Sequence, residues 1–257
     1  MNQSTAACAN TAPCSETTLQ VFIICRNRLT VAERAEMLAL HSRYFDNVQP
    51  ARFYSDLDDK DWVITLRDGA RLAGFSTQKL MTLKQRGNEQ RFLFSGDTIV
   101  DRAYWREQRL AGCFGHLMLR LMETHGEDEL YWFLISKGYR TYRFLPVFFH
   151  SFFPLPDVPF PPGYTDALDL VAKAKFGAAY DSHGGLIVPD AQADRLRPEF
   201  CDVPVSKRAD PFVDFFLKRN PRFHEGYELA CIAEIRRTNL NRLAWRVIGQ
   251  TSPVWIE

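Results

Sequence analysis

The sequence predicts an α/β fold in which a mixed, mostly antiparallel sheet is flanked by helices and followed by a C-terminal extension. Two observations carry this reading. Short β-branched or aromatic runs at 19–26, 62–66, 72–83 and 92–100 are separated by turn signals. A helical stripe over 108–124 then leads into a further apolar run at 130–136, reached by a crossover that is right-handed in such units.

The first 18 residues, MNQSTAACANTAPCSETT, are polar and contain no apolar stretch, so a disordered tail without a signal peptide is expected. LQVFIICR (19–26) reads as a strand. Thr30 and Glu33 stand at capping-box spacing, and Ala32, Ala35, Met37, Leu38 and Leu40 continue a helical face to about Tyr44. Residues 47–59 are turn-rich and predict only a short helix or loop. WVITL (62–66) is a strand, Asp68-Gly69 a hairpin turn, and 72–83 the returning arm. Gly87-Asn88 turns the chain again into FLFSGDTIV (92–100). Within 108–124, Leu110, Phe114, Leu117 and Leu121 fall at i, i+4, i+7 and i+11, one core-facing stripe. LYWFLIS (130–136) is a buried strand, and Pro146 starts or interrupts a short helix in 141–153. PLPDVPFPPG (154–163) marks a boundary between a core, 19–155, and an extension, 156–257, packed on it. In the extension a helix over 166–180, a turn at His183-Gly184-Gly185 and a strand over 227–235 are expected.

Composition bounds the function. The chain has 257 residues, 46% hydrophobic and 25% charged, which excludes disordered and fibrous classes. Thirty-two basic against 31 acidic residues argue against a nucleic-acid partner, so any anion site must be local. No apolar run approaches the ~20 residues that span a bilayer, and a cytoplasmic location is expected. The six cysteines form no C-x-x-C pair, and no two histidines stand at i, i+4. H-E-x-x-H, G-x-S-x-G and P-loop patterns are absent, so no metal is expected.

Arg109-Leu110-Ala111-Gly112-Cys113-Phe114-Gly115 falls between the third meander strand and the long helix. A helix N-terminus offers unpaired N–H groups to an anion, and glycine allows close approach to the backbone. With the order β-α-β-β-β-α-β, this segment resembles the GNAT acyltransferase superfamily, whose signature here is Arg/Gln-x-x-Gly-x-Gly/Ala. The resemblance covers about 19–155. It implies an acyl-CoA donor, with the pantetheine arm along the splayed strand end at Ile99 and Val100. The pyrophosphate would lie on Arg109, Gly112, Cys113, Phe114 and Gly115. Phe114 departs from the family's Gly/Ala, which leaves room for an acyl carrier protein as donor. The alternative for the two glycines is close packing of the crossover helix.

Acyl transfer to an amine needs a base for the amine proton and an acid for the departing thiolate. Ser95 and Asp97 are expected to share one strand face, with Asp97 as base or ammonium anchor and Ser95 beside the substrate. The family's acid is often a Tyr a few residues ahead of a Gly-Phe. Placing Phe153 at that Phe puts Phe148 at the acid position, so Tyr142, Tyr139 and His150 are the nearby replacements. The cluster Phe144, Phe148, Phe149, Phe152, Phe153 and Phe160 is either an acyl-chain tunnel, with Phe148 and Phe149 on substrate, or an interface with the extension. Lys137, Arg140 and Arg143, three apart, form a basic face for an acidic carrier or a phosphate if helical, or simply a solvated one. The expected function is N-acyl transfer from a thioester to an amine of a small molecule, amino acid or peptide. The alternative is a non-catalytic ligand- or partner-binding module of the same fold.

Overall fold

The computed structural model describes residues 19–85, 87–156 and 163–257. The expected tail with Cys8 and Cys14, most of the proline-rich boundary, and Phe160 lie outside the described residues. The first strand, β1 (Leu19–Cys25), leads to helix α1 (Val31–Tyr44), a two-residue β2 (Phe45–Asp46) and α2 (Pro50–Asp58). The meander is β3 (Trp62–Asp68), β4 (Arg71–Gln85) and β5 (Asn88–Val100). Helix α3 (Arg109–His125) crosses over to β6 (Leu130–Ser136), followed by α4 (Tyr139–Tyr142) and α5 (Phe144–Phe148). Beyond it come α6 (Tyr164–Phe176), β7 (Tyr180–Asp181), β8 (Leu186–Ile187), β9 (Arg195–Leu196), α7 (Pro198–Cys201), α8 (Val205–Arg208) and α9 (Pro211–Arg219). The chain ends with β10 (Glu228–Glu234), α10 (Arg242–Gly249) and β11 (Val254–Ile256).

Local signals explain where the helices start. Thr30 Oγ1 accepts the Glu33 N–H at 3.2 Å while Glu33 Oε2 accepts the Thr30 N–H at 2.9 Å, the reciprocal cap that the sequence predicts. The turn-rich 47–59 stretch instead holds the nine-residue α2. Pro50 supplies a preset φ at its first position, and Phe53 and Leu57 bury one face.

Nine strands form one sheet in the order β11-β1-β3-β4-β5-β6-β10-β8-β7. Only β1 with β11 and β5 with β6 run parallel. The 156–257 stretch, expected to pack on the core, is woven into the sheet. Its β10 pairs along β6 and its β11 along β1. One apolar core lies under α3, α5, α9 and α10, a second under α6, and a third under α1 and α2.

Two features of β5 position the site. A bulge sets Gly96 and Asp97 against Thr77 alone, between the pairs Ser95–Gln78 and Thr98–Ser76. The extra residue breaks the alternation of faces. Ser95 and Asp97 therefore do not share a face, contrary to the expectation from simple pleating. The second feature is an opening. The β5–β6 ladder ends at Ser95 and Leu134, while β5 continues along β4 to Val100.

Candidate active site

Three cavities meet at that opening, and Thr98 and Thr141 line all of them. On the α3 face is an apolar cavity of about 60 Å³, walled by Phe114, Trp132, Phe144, Phe148, Phe149 and Ile248. On the α1 face is a polar cavity of about 200 Å³ that includes His41, Asp97, Lys137, Asp194 and Glu228. A cleft of about 380 Å³ at the strand ends runs past Val100, Trp105, Tyr139 and Arg140.

The polar cavity holds an acid–base cluster. His41 lies on the core-facing stripe of α1 with Met37, Leu40 and Tyr44 and is 3% exposed. Its Nε2 is 2.6 Å from Asp194 Oδ2. Its Nδ1 has no hydrogen-bond partner and lies 3.6 Å from Asp97 Oδ2. Lys137 Nζ donates to Asp194 Oδ1 at 2.5 Å and is 3.7 Å from Glu228. Burial works to raise the Asp194 carboxyl, but Lys137 and His41 outweigh it and hold it well below the usual range. Burial likewise works against the Lys137 ammonium, and Glu228 and Asp194 overcome it and push it up. Asp97 is raised by burial against the pull of His41, and Glu228 is raised by burial to about 7. Ionised Asp194 can only accept, so Nε2 carries a proton, and in the neutral imidazole Nδ1, buried beside Asp97, is the nitrogen with the free lone pair. Nucleophile-activating bases are built in this way: a histidine oriented by a third group.

The three ligand-type groups His41, Asp97 and Asp194 bring one atom each within 4.8 Å of one another. The two ring nitrogens face different carboxylates, however, and Lys137 already neutralises Asp194. An oriented base suits this better than a chelate.

The glycine motif sits inside a helix rather than in a loop. Helix α3 begins at Arg109, so Gly112, Cys113, Phe114 and Gly115 are all helical. A Cβ on Gly112 would collide with Thr251 Oγ1 and lie 2.8 Å from the Val247 carbonyl oxygen, and one on Gly115 would collide with Ile248 Cγ1. The glycines thus admit α10, whose end is clasped by His116 Nε2 at 2.8 Å from the Thr251 carbonyl. At the helix start, Glu107 Oε1 accepts the N–H groups of Gln108 and Arg109, each at 2.9 Å, and its Oε2 takes Arg109 Nη1 at 2.7 Å. A carboxylate of the chain itself holds this end of the helix dipole. The N–H groups of Gln108 and Arg109 and the open sides of Gly112 and Gly115 are thus occupied by the chain itself.

The other sequence candidates divide sharply. Ile99 and Val100 line the cleft at the strand ends. Ser95, Phe114, Phe148 and Phe149 line the apolar cavity, with Phe114 against Trp132 at 5.0 Å between centroids. Asp97 lines the polar one. Tyr142 is fully buried, donates to the Pro154 carbonyl at 2.8 Å and reaches none of the three cavities, so it is not placed to act on a substrate there. Exposed His150 also lines none of them. Tyr139 faces the cleft beneath Arg140. Burial pushes the Cys113 thiol up, the opposite of an activated nucleophile. Lys137, Arg140 and Arg143 all line the cleft at the strand ends, and each already has a partner. Lys137 turns in to Asp194, Arg140 stacks on Trp105 at 4.1 Å, and Arg143 Nε pairs with Asp210 at 3.1 Å. Phe152 and Phe153 pack in the first and second cores, away from the cavity.

Sequence reasoning missed His41, Asp194 and Glu228 as site residues. A histidine within an otherwise apolar α1 stripe was a readable signal, since buried polar groups are the informative exceptions. Asp194 stands in a loop and carried none.

No protein-family profile matches the chain, and no curated protein matches it. Among solved structures it is similar to a probable N-acyltransferase from Enterococcus faecalis, with 16% identity and a TM-score of 0.41 over 53% of this chain and 33% of the other. A GCN5-related N-acetyltransferase from Kribbella flavida gives 12%, 0.39, 52% and 34% in the same order. A GNAT family N-acetyltransferase from Escherichia coli in complex with CoA gives 17%, 0.34, 50% and 67%. The chain thus spans about a third of the first two.

Proposed function

We propose that this protein is an acyltransferase that moves a short acyl group from a thioester to an amine. One observation carries the reading: the opening of β5 from β6 joins an apolar cavity on one sheet face to an acid–base cluster on the other, with Thr98 at the junction. The acyl group occupies the apolar cavity, and the amine arrives as an ammonium ion beside the Asp97 carboxylate and gives its extra proton to solvent before it reacts as the free amine.

The chemistry follows from proximity and polarisation, without a covalent enzyme intermediate. His41 Nδ1 takes a proton from the amine nitrogen as that nitrogen bonds to the thioester carbonyl carbon, and the carbonyl π pair moves onto oxygen. When that pair returns, the C–S bond breaks and sulfur leaves with its electrons. The thiolate then takes up one proton and His41 gives one up, so the products are one amide and one thiol. Asp194 stabilises the transient imidazolium. The Asp101 N–H bonds to the Ala73 carbonyl at 2.8 Å, so alternation turns the N–H groups of Thr98 and Val100 away from β4, toward the opening. They are the backbone donors available to the carbonyl oxygen.

The test is to supply acetyl and octanoyl thioesters of both coenzyme A and pantetheine with a panel of amines, and to follow free thiol and amide together. Equal amounts of both, abolished in His41→Gln, support the reading. Thiol release from none of these pairs overturns it.

A second reading is a non-catalytic thioester-binding module. The Glu107 carboxylate on the start of α3 and the α10 cover over Gly112 and Gly115 favour it, because both close off an anion site. It predicts stabilisation by the thioester, about 2.7 kcal/mol at a hundred times Kd, without turnover.

A further inference from the structure

A row of side-chain hydrogen bonds crosses β6, β5 and β4 on the α3 face. Trp132 Nε1 donates to Ser95 Oγ at 2.9 Å, and Ser95 Oγ donates to Gln78 Oε1 at 2.8 Å. Gln78 Nε2 donates to Ser76 Oγ at 2.7 Å, and Ser76 Oγ lies 2.7 Å from Thr98 Oγ1. Trp132, Ser95, Gln78 and Ser76 are all buried, and Gln78 is 0% exposed. A glutamine with no access to water spends both halves of its amide on this row. Its cost is hard to explain by stability alone, since apolar side chains would fill the same space without desolvation.

The row has a direction. An indole N–H can only donate, so Ser95 accepts from it and passes its own proton to Gln78. Gln78 then donates to Ser76; of the two directions open to the Ser76–Thr98 contact, donation by Ser76 is the one that gives its proton a partner among the described residues. Thr98 Oγ1 is therefore an acceptor within the row, and its own proton points out of it. Among the described residues that proton meets only the Gly96 carbonyl at 3.4 Å, at the long limit for a hydrogen bond. The β5 bulge sets Thr98 on this face, at the point shared by all three cavities.

We infer that the Thr98 hydroxyl is the side-chain donor that stabilises the oxygen of the reacting thioester carbonyl, held in its donating orientation by Ser76, Gln78, Ser95 and Trp132. The inference rests on the acyl-transfer reading and adds a side-chain donor to the backbone N–H groups of Thr98 and Val100. As the amine nitrogen bonds to the carbonyl carbon, the π pair moves onto oxygen and the Thr98 hydrogen bond strengthens. As the C–S bond breaks, the pair returns and the bond relaxes. Thr98 keeps its proton throughout, so no additional acid or base is needed. The other four are positioning residues.

Steady-state kinetics of four proteins test this: wild type, Thr98→Val, Thr98→Ser and Ser95→Ala. Valine keeps the shape and removes the donor, and kcat should fall about 100-fold, the usual cost of one oxyanion donor, with KM little changed. Serine should restore most of the rate. Ser95→Ala, three hydrogen bonds from Thr98, should lower kcat by a smaller factor, again without moving KM. Wild-type turnover that persists unchanged in Thr98→Val would sink the role of Thr98 and leave the acyltransferase reading standing. A Ser95→Ala protein that loses thermal stability but no kcat would remove the positioning role. A wild-type protein that releases no thiol would overturn both readings together.

Discussion

His41 Nε2 and Asp194 Oδ2 meet at 2.6 Å although 153 positions separate them, and this contact leaves His41 Nδ1 unpartnered against the polar cavity. Asp194 is fixed from its other side by Lys137. The imidazole is thus held in one tautomer by a carboxylate that is itself held.

Replacing His41 by Gln should lower kcat by 10²–10⁴, the range typical of a positioned general base. Asp194→Asn should cost less, because Nδ1 remains but the imidazolium loses its counter-charge. Asp97→Asn should instead raise KM for the amine with a smaller effect on kcat. Steady-state kinetics with the amine as varied substrate check all three.

Glu228 gives a pH dependence of defined sign. Burial raises its pKa from 4.5 to about 7 in the folded protein. Between those values the folded state keeps a proton that the unfolded state has lost, so stability falls as pH rises from 4.5 to 7 and is flat above. The shift corresponds to a contribution on the order of 3 kcal/mol. Glu228→Gln should remove that slope, and denaturant titrations of the two proteins between pH 4.5 and 8 will read the difference. Parallel slopes for both would refute it.

Gly112→Ala tests the clasp between α3 and α10. Alanine favours a helix over glycine by about 1 kcal/mol, but its Cβ would collide with Thr251 and approach a backbone oxygen at 2.8 Å. Overpacking of this kind costs ~1–3 kcal/mol, so the net change should be destabilising and visible as a lower Tm. Stabilisation would mean that α10 yields easily.

In the proposed acyl transfer the apolar cavity sets the chain length. At about 60 Å³ it is less than half the ~150 Å³ that accepts a benzene ring. Acetyl and propionyl thioesters should be preferred over octanoyl by kcat/KM. Phe148→Ala removes one wall and should shift the preference toward longer chains, at some cost in stability. An unaltered chain-length profile would show that the acyl group lies elsewhere.

The path of the chain from β1 to β6 was legible because its signals are local: the Thr30–Glu33 box, the Asp68-Gly69 turn and the α3 stripe each depend on neighbours in sequence. The site was less so. Asp97 was singled out from the sequence and lines the polar cavity, but the bulge that separates it from Ser95 arises from one unpaired residue on β5, and alternation could not reveal it. Gly112 and Gly115 were read toward a ligand, with close packing as the alternative. The partner that decides between the two, α10, lies more than a hundred positions away. Residues that matter only through a distant contact, such as Asp194 with His41, leave no pattern of their own.

Pairing between the first and last described strands has a temporal consequence. Ile23 stands opposite Trp255 in the β1–β11 ladder, and α10, which fills the notch at Gly112, also belongs to the last residues of the chain. During synthesis, therefore, β1 and α3 emerge from the ribosome long before the segments that cover them. The nascent chain carries an open sheet edge and an apolar helix flank until residues 242–256 have been made. Closure must pay for a very large loop, which slows the final step and makes the waiting intermediate a natural client for chaperones.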